Sequence, residues 1–373
     1  MVIKNLKIVL EDRIVDNGYL VFDNGLIKEV GEGEYLGDAF DGNHLIAMPG
    51  FIDVHIHGSA GIDFMDAEED DYEKVANSLY REGVTTFLAT TLTSDKESLL
   101  KVCRTVKSVK NKIPSLGGIH FEGPYINEKY KGAQNEKYIR LPDIKEFDEL
   151  QKESGNNVKY ITLAVEKEGS LEFIKHVTSL GVTASVGHSD ASFEEVEKAI
   201  EVGLTNTTHT HNAMSPHHHR KPGIVTAAFY FDQLYTEFIC DKIHVCPNSL
   251  KTSYKIIGPN RFMIITDALK AKNSDIESFQ LFGLDCVKKD GAAYLTSGPL
   301  AGSLLTMDQG IRNMRDIVNA SLIDLAKISS RNAARSLHLS DRGAIAVNKL
   351  ADIVLLDDDL NVKATYKLGK KVY

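Results

Sequence analysis

The chain has 373 residues, of which 43% are hydrophobic and 25% charged, and its formal net charge is −9 at pH 7. This composition is typical of a globular protein with about two domains, or with one large α/β barrel and an addition, and it excludes long disordered, collagen-like and coiled-coil chains. The acidic balance, without a run of lysine or arginine, argues against nucleic acid or a membrane surface as the main partner.

The numbers of cysteines and histidines indicate the redox state of the compartment and the ligand types of any metal site. The chain has 13 histidines and only four cysteines, so we expect any metal site to be built from imidazole and carboxylate groups. The cysteines are irregularly spaced and form no CxxC motif, which favours free thiols in a reducing compartment. No apolar run predicts a signal peptide or a membrane-spanning segment, so we expect a cytoplasmic protein.

The two ends of the chain, residues 1–49 and 338–373, share one character. Both contain β-prone runs that are separated by turn signals, and both lack helical patterns. The predicted strands of the two ends are 3–9, 13–22, 26–30, 351–356 and 362–368. We therefore expect the ends to pair into one small β-sandwich domain, split in sequence by the residues between them.

Residues 50–337 show a repeated order of helix, glycine and strand, which is typical of a parallel sheet. The predicted helices are 71–81, 96–110, 171–180 and one that begins at the capping box of Ser192 and Glu195 and runs to 202. The predicted strands are 51–57, 84–90, 115–121, 159–164, 182–186, 204–209, 236–240 and 262–266. Eight such units over about 280 residues predict a (β/α)₈ barrel. A doubly wound sheet would need a glycine-rich phosphate turn after the first strand, and the sequence has none there.

Polar side chains stand where the first and third predicted strands end, and the carboxyl ends of barrel strands carry function. The first strand alternates, so His55 and His57 share the face that points to the barrel mouth. Two such imidazoles can hold one or two metal ions, or they can be hydrogen-bonded core histidines. Glu122 ends the third strand and is followed by Gly-Pro. Its carboxylate is either a metal ligand or a loop carboxylate that caps a nearby helix.

Three later strands end in the same kinds of residue. His188 follows the fifth strand, His209 the sixth and Asp267 the eighth. A buried aspartate is costly unless it is paired or has a function. Taken together with His55, His57 and Glu122, these residues predict a catalytic divalent-metal site, with ligand types that suit zinc, iron or manganese.

Several segments resemble one enzyme family. Residues 49–58 (PGFIDVHIHG) are similar to the opening signature of the amidohydrolase superfamily. The segments that resemble its N-acetylglucosamine-6-phosphate deacetylases are 120–124, 187–191, 209–214, 266–268 and 301–303. The resemblance runs from about residue 45 to the C-terminus and includes 343–345 and 351–354. The ordered HxEGP, GHS and HxxNAM elements are much more specific than HxH alone.

The resemblance implies hydrolysis of the acetamide of N-acetyl-D-glucosamine 6-phosphate to D-glucosamine 6-phosphate and acetate. It implies one or two divalent ions for each subunit, with zinc favoured and iron or manganese as alternatives. The residues that match metal ligands of the family are Glu122, His188, His209, His55 and His57. Asp267 matches the catalytic aspartate, which would take a proton from the attacking water and deliver it to the leaving amine.

The resemblance also implies substrate contacts in the loops. Arg220 matches a phosphate-binding arginine that can reach across a dimer interface, so we expect a homodimer; the alternative is a solvated loop cation. Three more residues match contacts to the sugar phosphate: His244, Asn212 and Ala213. Gln134 stands where some members carry a histidine, and it can donate a hydrogen bond but cannot titrate.

Four histidines depart from the family pattern. His211 is a metal ligand, a substrate contact or a polar filler, and we favour the last two. His217, His218 and His219 either form a solvated loop or cover the substrate beside Arg220.

Other functions compete with this interpretation. A preference for N-acetylgalactosamine 6-phosphate stays open, because motifs do not encode one epimeric hydroxyl. Other amidohydrolases, such as cyclic-amide hydrolases and D-aminoacylases, often use a carbamylated lysine on the fourth strand, and residues 160–164 contain no lysine. A non-catalytic scaffold would be expected to lose ligands, whereas this chain retains all six metal-site residues.

Overall fold

The computed structural model describes residues 1–281 and 283–373. Within them, eight parallel strands pair in chain order, and we call them the first to eighth barrel strands. Their bounds are Phe51–Ile56, Val84–Thr91, Leu116–Glu122, Val158–Leu163, Thr183–Val186, Asn206–Thr207, Tyr235–Ile239 and Phe262–Ile265. The sheet closes where the Asp267 N–H donates to the His55 carbonyl at 2.8 Å and the Thr266 hydroxyl donates to Asp53 at 2.6 Å. The predicted (β/α)₈ fold class is confirmed.

Helices follow most of the barrel strands. The α-helices are Asp71–Tyr80, Lys96–Val109, Ile144–Glu153, Ser170–Ser179, Phe193–Glu201, Ile224–Tyr230, Pro247–Ile257, Met307–Val318, Leu322–Ala326 and Asn332–Ser336. Short 3₁₀ turns lie at Glu128–Tyr130 and Glu136–Tyr138, and a π-helical turn at Lys327–Arg331. The predicted capping box forms, since the Ser192 hydroxyl accepts from the Glu195 N–H and the Glu195 carboxylate accepts from the Ser192 N–H. Buried helix residues such as Leu99 and Phe173 join the strands in one hydrophobic core.

None of the described helices is both long and apolar enough to cross a membrane. The cysteines are free thiols in this part of the chain.

The two chain ends meet in a second sheet of eight strands among the described residues. Its strands are Val2–Val9, Ile14–Asp23, Leu26–Glu32, Phe40–Asp41, Ile46–Pro49, Ile353–Leu356, Val362–Lys367 and Lys370–Lys371. Ile353–Leu356 pairs antiparallel with Ile46–Pro49 and so joins the ends. A separate apolar cluster that includes Leu20 and Leu355 lies here. Domain boundaries at 49/50 and 337/338 stay predictions.

A four-stranded antiparallel sheet follows the eighth barrel strand and was missed by the sequence analysis. Its strands are Ser278–Leu281, Leu284–Lys289, Ala292–Leu295 and Leu300–Ser303. The turn at Asp290 and Gly291 is a two-residue hairpin signal, so the sequence did contain evidence for it. The last strand of this sheet reaches the barrel mouth.

Candidate metal centre

The carboxyl ends of five barrel strands bring six polar side chains together. The structure places His55, His57 and Asp267 in one group, and Glu122, His188 and His209 in another. Within each group the candidate ligand atoms lie within 4.8 Å of one another, and all six side chains are buried. These are the six residues that the sequence analysis expected to converge.

Glu122 contacts both groups. Its Oε1 lies 3.0 Å from His188 Nε2 and 3.1 Å from His209 Nε2. Its Oε2 lies 3.3 Å from His57 Nε2. One carboxylate can therefore serve both groups, which is the arrangement that a two-ion site needs.

The hydrogen bonds of these side chains and a buried unpaired nitrogen indicate that the side chains are oriented to bind a cation. His188 Nδ1 lies 2.8 Å from the Tyr130 carbonyl, which only accepts, so Nδ1 carries the hydrogen and the Nε2 lone pair faces the group. His188 Nε2 and His209 Nε2 are only 3.0 Å apart. His55 Nε2, which lies 3.4 Å from both Glu122 and Asp267, is buried and has no hydrogen-bond partner. Buried unpaired groups are rare, and this set of imidazole nitrogens and carboxylate oxygens fits a divalent metal ion.

The two carboxylates concentrate negative charge at the centre. Burial opposes the charged form of His57, but Asp267 and Glu122 outweigh it and raise the pKa of His57 to about 9. Burial likewise acts against the charged form of His55, and the same carboxylates raise the pKa of His55 well above its ordinary value. Although burial opposes ionisation, the histidines lower the pKa of Glu122 and of Asp267. Both carboxylates are thus held ionised, and the centre attracts positive charge.

Three of the six residues have a left-handed backbone: φ is 49° at His188, 30° at His209 and 48° at Asp267. Such a conformation costs a non-glycine residue about 1–3 kcal/mol and clusters at functional sites. At each of them the chain has just left a barrel strand. The left-handed turn at His209 also explains why the sixth strand ends at Thr207 rather than at the predicted residue 209.

A cavity of about 150 Å³ opens over the centre. Its walls include four of the five predicted substrate residues, namely Asn212, Ala213, His244 and Gln134. His244 Nδ1 lies 2.6 Å from the Asp241 carboxylate, which orients the imidazole ring. Leu300 and Gly302, from the sheet that the sequence analysis missed, form part of the wall.

Gln134 is held by two hydrogen bonds. Its Oε1 accepts from the Thr93 N–H at 2.7 Å, and its Nε2 donates to Glu122 Oε2 at 2.5 Å. Because a backbone N–H can only donate, the orientation of the amide is determined. Gln134 therefore contacts a candidate metal ligand as well as the cavity.

Arg220 is not brought to the cavity of its own chain. Its side chain is exposed, and Nη1 lies 2.6 Å from His219 Nε2. The described residues that line the cavity contain no lysine and no arginine. A single chain therefore offers no strong cation there for an anionic substrate.

Two of the histidines that depart from the family pattern, His211 and His217, contact residues outside the centre. His211 Nε2 lies 2.9 Å from the Ser253 hydroxyl, beside a second cavity that His211 shares with His217 and Phe229. His217 Nδ1 lies 3.0 Å from the Thr226 hydroxyl. These contacts agree with a polar filler at position 211 and with an exposed loop after it.

One buried carboxylate at the centre escaped the sequence analysis. Glu237 of the seventh barrel strand is fully buried, and its Oε2 lies 3.3 Å from His55 Nδ1. A lone charge within the strand Tyr235–Ile239 was the available signal.

A (β/α)₈ barrel with a histidine–carboxylate centre at its strand ends is an arrangement typical of metal-dependent hydrolases. The model of the amidohydrolase family matches residues 46–372. The N-acetylglucosamine-6-phosphate deacetylase of Bacillus subtilis (strain 168) is 36% identical over 380 residues, which cover 99% of this chain and 96% of that protein. The N-acetylgalactosamine-6-phosphate deacetylase of Escherichia coli O157:H7 is 31% identical over 332 residues, 87% of either protein.

Solved structures agree with the sequence relatives. The crystal structure of the N-acetylglucosamine-6-phosphate deacetylase from Thermotoga maritima superimposes with a TM-score of 0.93 at 36% identity, over 100% of this chain and 99% of that chain. The chain therefore belongs to the amidohydrolase family, and within it to the N-acetylglucosamine-6-phosphate deacetylases. The predicted family and the predicted metal-dependent amide hydrolysis are confirmed.

Proposed function

We propose that this chain removes the acetyl group from N-acetyl-D-glucosamine 6-phosphate in the cytoplasm, giving D-glucosamine 6-phosphate and acetate. The observation that carries the proposal is the complete set of six histidine and carboxylate side chains beneath one cavity, in a chain similar to these deacetylases over its whole length. The acidic chain has no membrane or nucleic-acid partner in this proposal.

The residues of the centre divide the work. Glu122, His188 and His209 would hold one divalent ion, for which we propose zinc. His55, His57 and Asp267 would hold a second ion, with Glu122 in contact with both groups. A bound divalent cation supplies a Lewis acid that polarises the amide carbonyl and acidifies water.

Asp267 moves the proton in this proposal. Its Oδ1 lies 3.2 Å from His57 Nε2, and the lowered pKa of Asp267 keeps it ionised at neutral pH, as a general base requires. Asp267 accepts a proton from the attacking water and transfers it to the nitrogen of the breaking C–N bond. The products are then the free amine and acetate.

The cavity walls orient the sugar. We assign Asn212, Ala213 and His244 to contacts with the sugar phosphate. Gln134 Nε2 carries two hydrogens, of which one binds Glu122, so the other can donate to the acetamide oxygen.

The two sugar epimers test the proposal directly. Acetate release from N-acetylglucosamine 6-phosphate is expected to show a kcat/KM at least about tenfold above that for N-acetylgalactosamine 6-phosphate, since a site built around one hydroxyl rejects its epimer. As a control, protein treated with a chelator should lose the activity and regain it when a divalent metal ion is added back. The opposite ratio would establish the second candidate, which the Escherichia coli relative favours, and no acetate from either sugar would overturn both.

We further propose a homodimer in which Arg220 of one chain completes the cavity of the other. The absence of lysine and arginine from the described cavity wall supports this. Arg220 also lies on an exposed loop, where a second chain can approach it. A guanidinium grips phosphate through two parallel hydrogen bonds, which a solvated lysine does not.

Loss of Arg220 is expected to act on substrate binding. Arg220→Met should raise KM by about 10- to 100-fold, because a charge-assisted hydrogen bond is lost. Lys221→Met, which removes the neighbouring loop cation, is the matched control and should leave KM within about twofold. Steady-state kinetics of acetate release measure both, and a KM that Arg220→Met does not raise would contradict the proposal.

Mixed dimers reveal which chain supplies the arginine. Arg220→Met and Asp267→Asn chains are unfolded, mixed and refolded together, and acetate release is measured at a substrate concentration well below the parent KM. If Arg220 acts across a two-fold interface, the mixture should recover about a quarter of the parent activity. Half of the random dimers then contain one site with both residues intact. No recovery would place Arg220 in the site of its own chain.

A further inference from the structure

We infer that Glu237 is a positioning residue that holds the His55 ring so that Nε2 faces the metal centre. The inference rests on the proposed role of His55 as a metal ligand. It adds a partner behind that ligand, on the side away from the cavity.

Glu237 is a carboxylate with an unusual environment. It is fully buried in the seventh barrel strand, and among the described residues its only ion-pair partner is His55. Burying a carboxylate without a lysine or arginine is costly unless hydrogen-bond donors surround it. The cost of burying Glu237 must therefore be offset by the groups that contact its carboxylate.

Three donors surround this carboxylate. Tyr160 donates its hydroxyl hydrogen to Glu237 Oε1, and the backbone N–H of His209 donates to Oε2 at 3.3 Å. His55 Nδ1 lies 3.3 Å from the same Oε2. Because the first two contacts are donations to oxygen, Glu237 is arranged as an acceptor, and the third contact requires a hydrogen on His55 Nδ1.

The tautomer of His55 has a direct consequence for the centre. In the neutral imidazole, the form that binds a metal, a hydrogen on Nδ1 leaves the lone pair on Nε2, which lies 3.4 Å from Glu122 Oε1 and 3.4 Å from Asp267 Oδ1. That nitrogen is buried and has no hydrogen-bond partner. A carboxylate behind a histidine ligand is the usual way in which proteins orient the ring and raise its basicity toward a metal.

The surroundings leave the ring little freedom. The His120 ring packs edge-on against His55 at 4.6 Å, and Tyr160 packs edge-on against His120 at 4.5 Å. His120 is itself fixed by its Nδ1 contact to the Val54 carbonyl at 2.9 Å. Glu237 and Tyr160 therefore belong to one buried assembly that sets the direction of His55.

Two substitutions at Glu237 separate an oriented acceptor from mere filling of space. Glu237→Leu keeps about the same volume but removes the acceptor, and it should weaken the binding of one of two Co²⁺ ions by about 10- to 100-fold and leave the other unchanged. Glu237→Gln keeps an oxygen acceptor, and its affinity should stay within about threefold of the parent. Competition of the Co²⁺-loaded protein with a chelator, followed in the visible spectrum and by elemental analysis, measures both affinities.

A matched control accounts for stability. Glu82→Gln changes another buried carboxylate, which accepts from Lys272 at 3.0 Å and from the Met307 N–H at 3.1 Å, away from the six ligands. It should lower Tm and leave both Co²⁺ affinities unchanged. If Glu237→Leu does not fold, Glu237→Met replaces it as the variant without an oxygen acceptor: a loss of about tenfold or more in one Co²⁺ affinity supports the inference, and two retained affinities overturn it.

The outcomes also separate this inference from the proposed function. A parent protein with two ions, together with a Glu237→Leu variant that binds both as tightly, would overturn the inference alone. A parent that binds only one ion would contradict the second ion of the proposed function and this inference with it. If both variants fold and Glu237→Gln loses as much Co²⁺ affinity as Glu237→Leu does, an oxygen acceptor at position 237 is not what orients His55.

Discussion

Replacing Asp267 with asparagine is expected to lower kcat for acetate release by about 10²- to 10⁴-fold, the usual contribution of a general acid–base residue. Asparagine keeps an oxygen near His57 but cannot take a proton from water. KM should change little, because the predicted substrate residues that line the cavity remain in place. The reaction is followed by acetate release under substrate saturation.

Metal content is the internal control for that variant. Elemental analysis should find the ions still bound to Asp267→Asn, since an amide oxygen remains beside the histidines. Asp190→Asn is the matched substitution, because Asp190 pairs with Lys129 in a neighbouring loop and should leave kcat unchanged. A near-native kcat for Asp267→Asn, with metal bound, would exclude Asp267 as the proton carrier.

Replacing Glu122 with glutamine is expected to remove the metal centre as a whole. Partners behind a ligand change metal affinity by about 10- to 100-fold, and Glu122 contacts both groups directly, so the loss should exceed about 100-fold. Activity should fall with metal content. Elemental analysis after dialysis against a weak chelator measures the loss.

The same substitution has a signature in metal-free protein. The charge of Glu122 helps to raise the pKa of His57 to about 9, so Glu122→Gln should move that pKa down toward its ordinary value of about 6.5. Histidine NMR signals report the shift. Glu146→Gln, in which a carboxylate paired with Arg140 is changed, is the control and should leave it untouched. Retained metal with a lowered pKa would mean that Glu122 is a neighbour of the centre and not a ligand.

The order of the elements followed from local signals. Glycines at helix ends, the capping box at Ser192 and apolar strand runs predicted the barrel, and the observed strands mostly agree within one residue. The exception is the sixth strand, where the left-handed residue His209 ends the strand early. Left-handed backbone at a non-glycine residue occurs mainly at functional sites, and the strand propensity of the residue does not predict it.

The candidate site could be predicted only in part. Residue type and position at a strand end identified all six side chains of the centre, because strand ends of a parallel barrel meet at one face. Glu237 was missed, since a strand-interior charge shows its partner only when the strands are placed together. Gln134 was expected to meet the substrate, and its bond to Glu122 arises from a loop whose path the sequence did not indicate.

The sequence by itself determined the chemical inventory: histidines and carboxylates in place of thiolates, at the ends of strands whose order implies a barrel. Only the tertiary structure decided which nitrogen of His188 faces the centre, that Glu122 contacts both groups, and that Arg220 lies outside its own cavity. Local periodicity is a property of neighbouring residues. Tautomers, shared ligands and access to a cavity depend on atoms far apart in the chain, whose distances are set when the sheet closes.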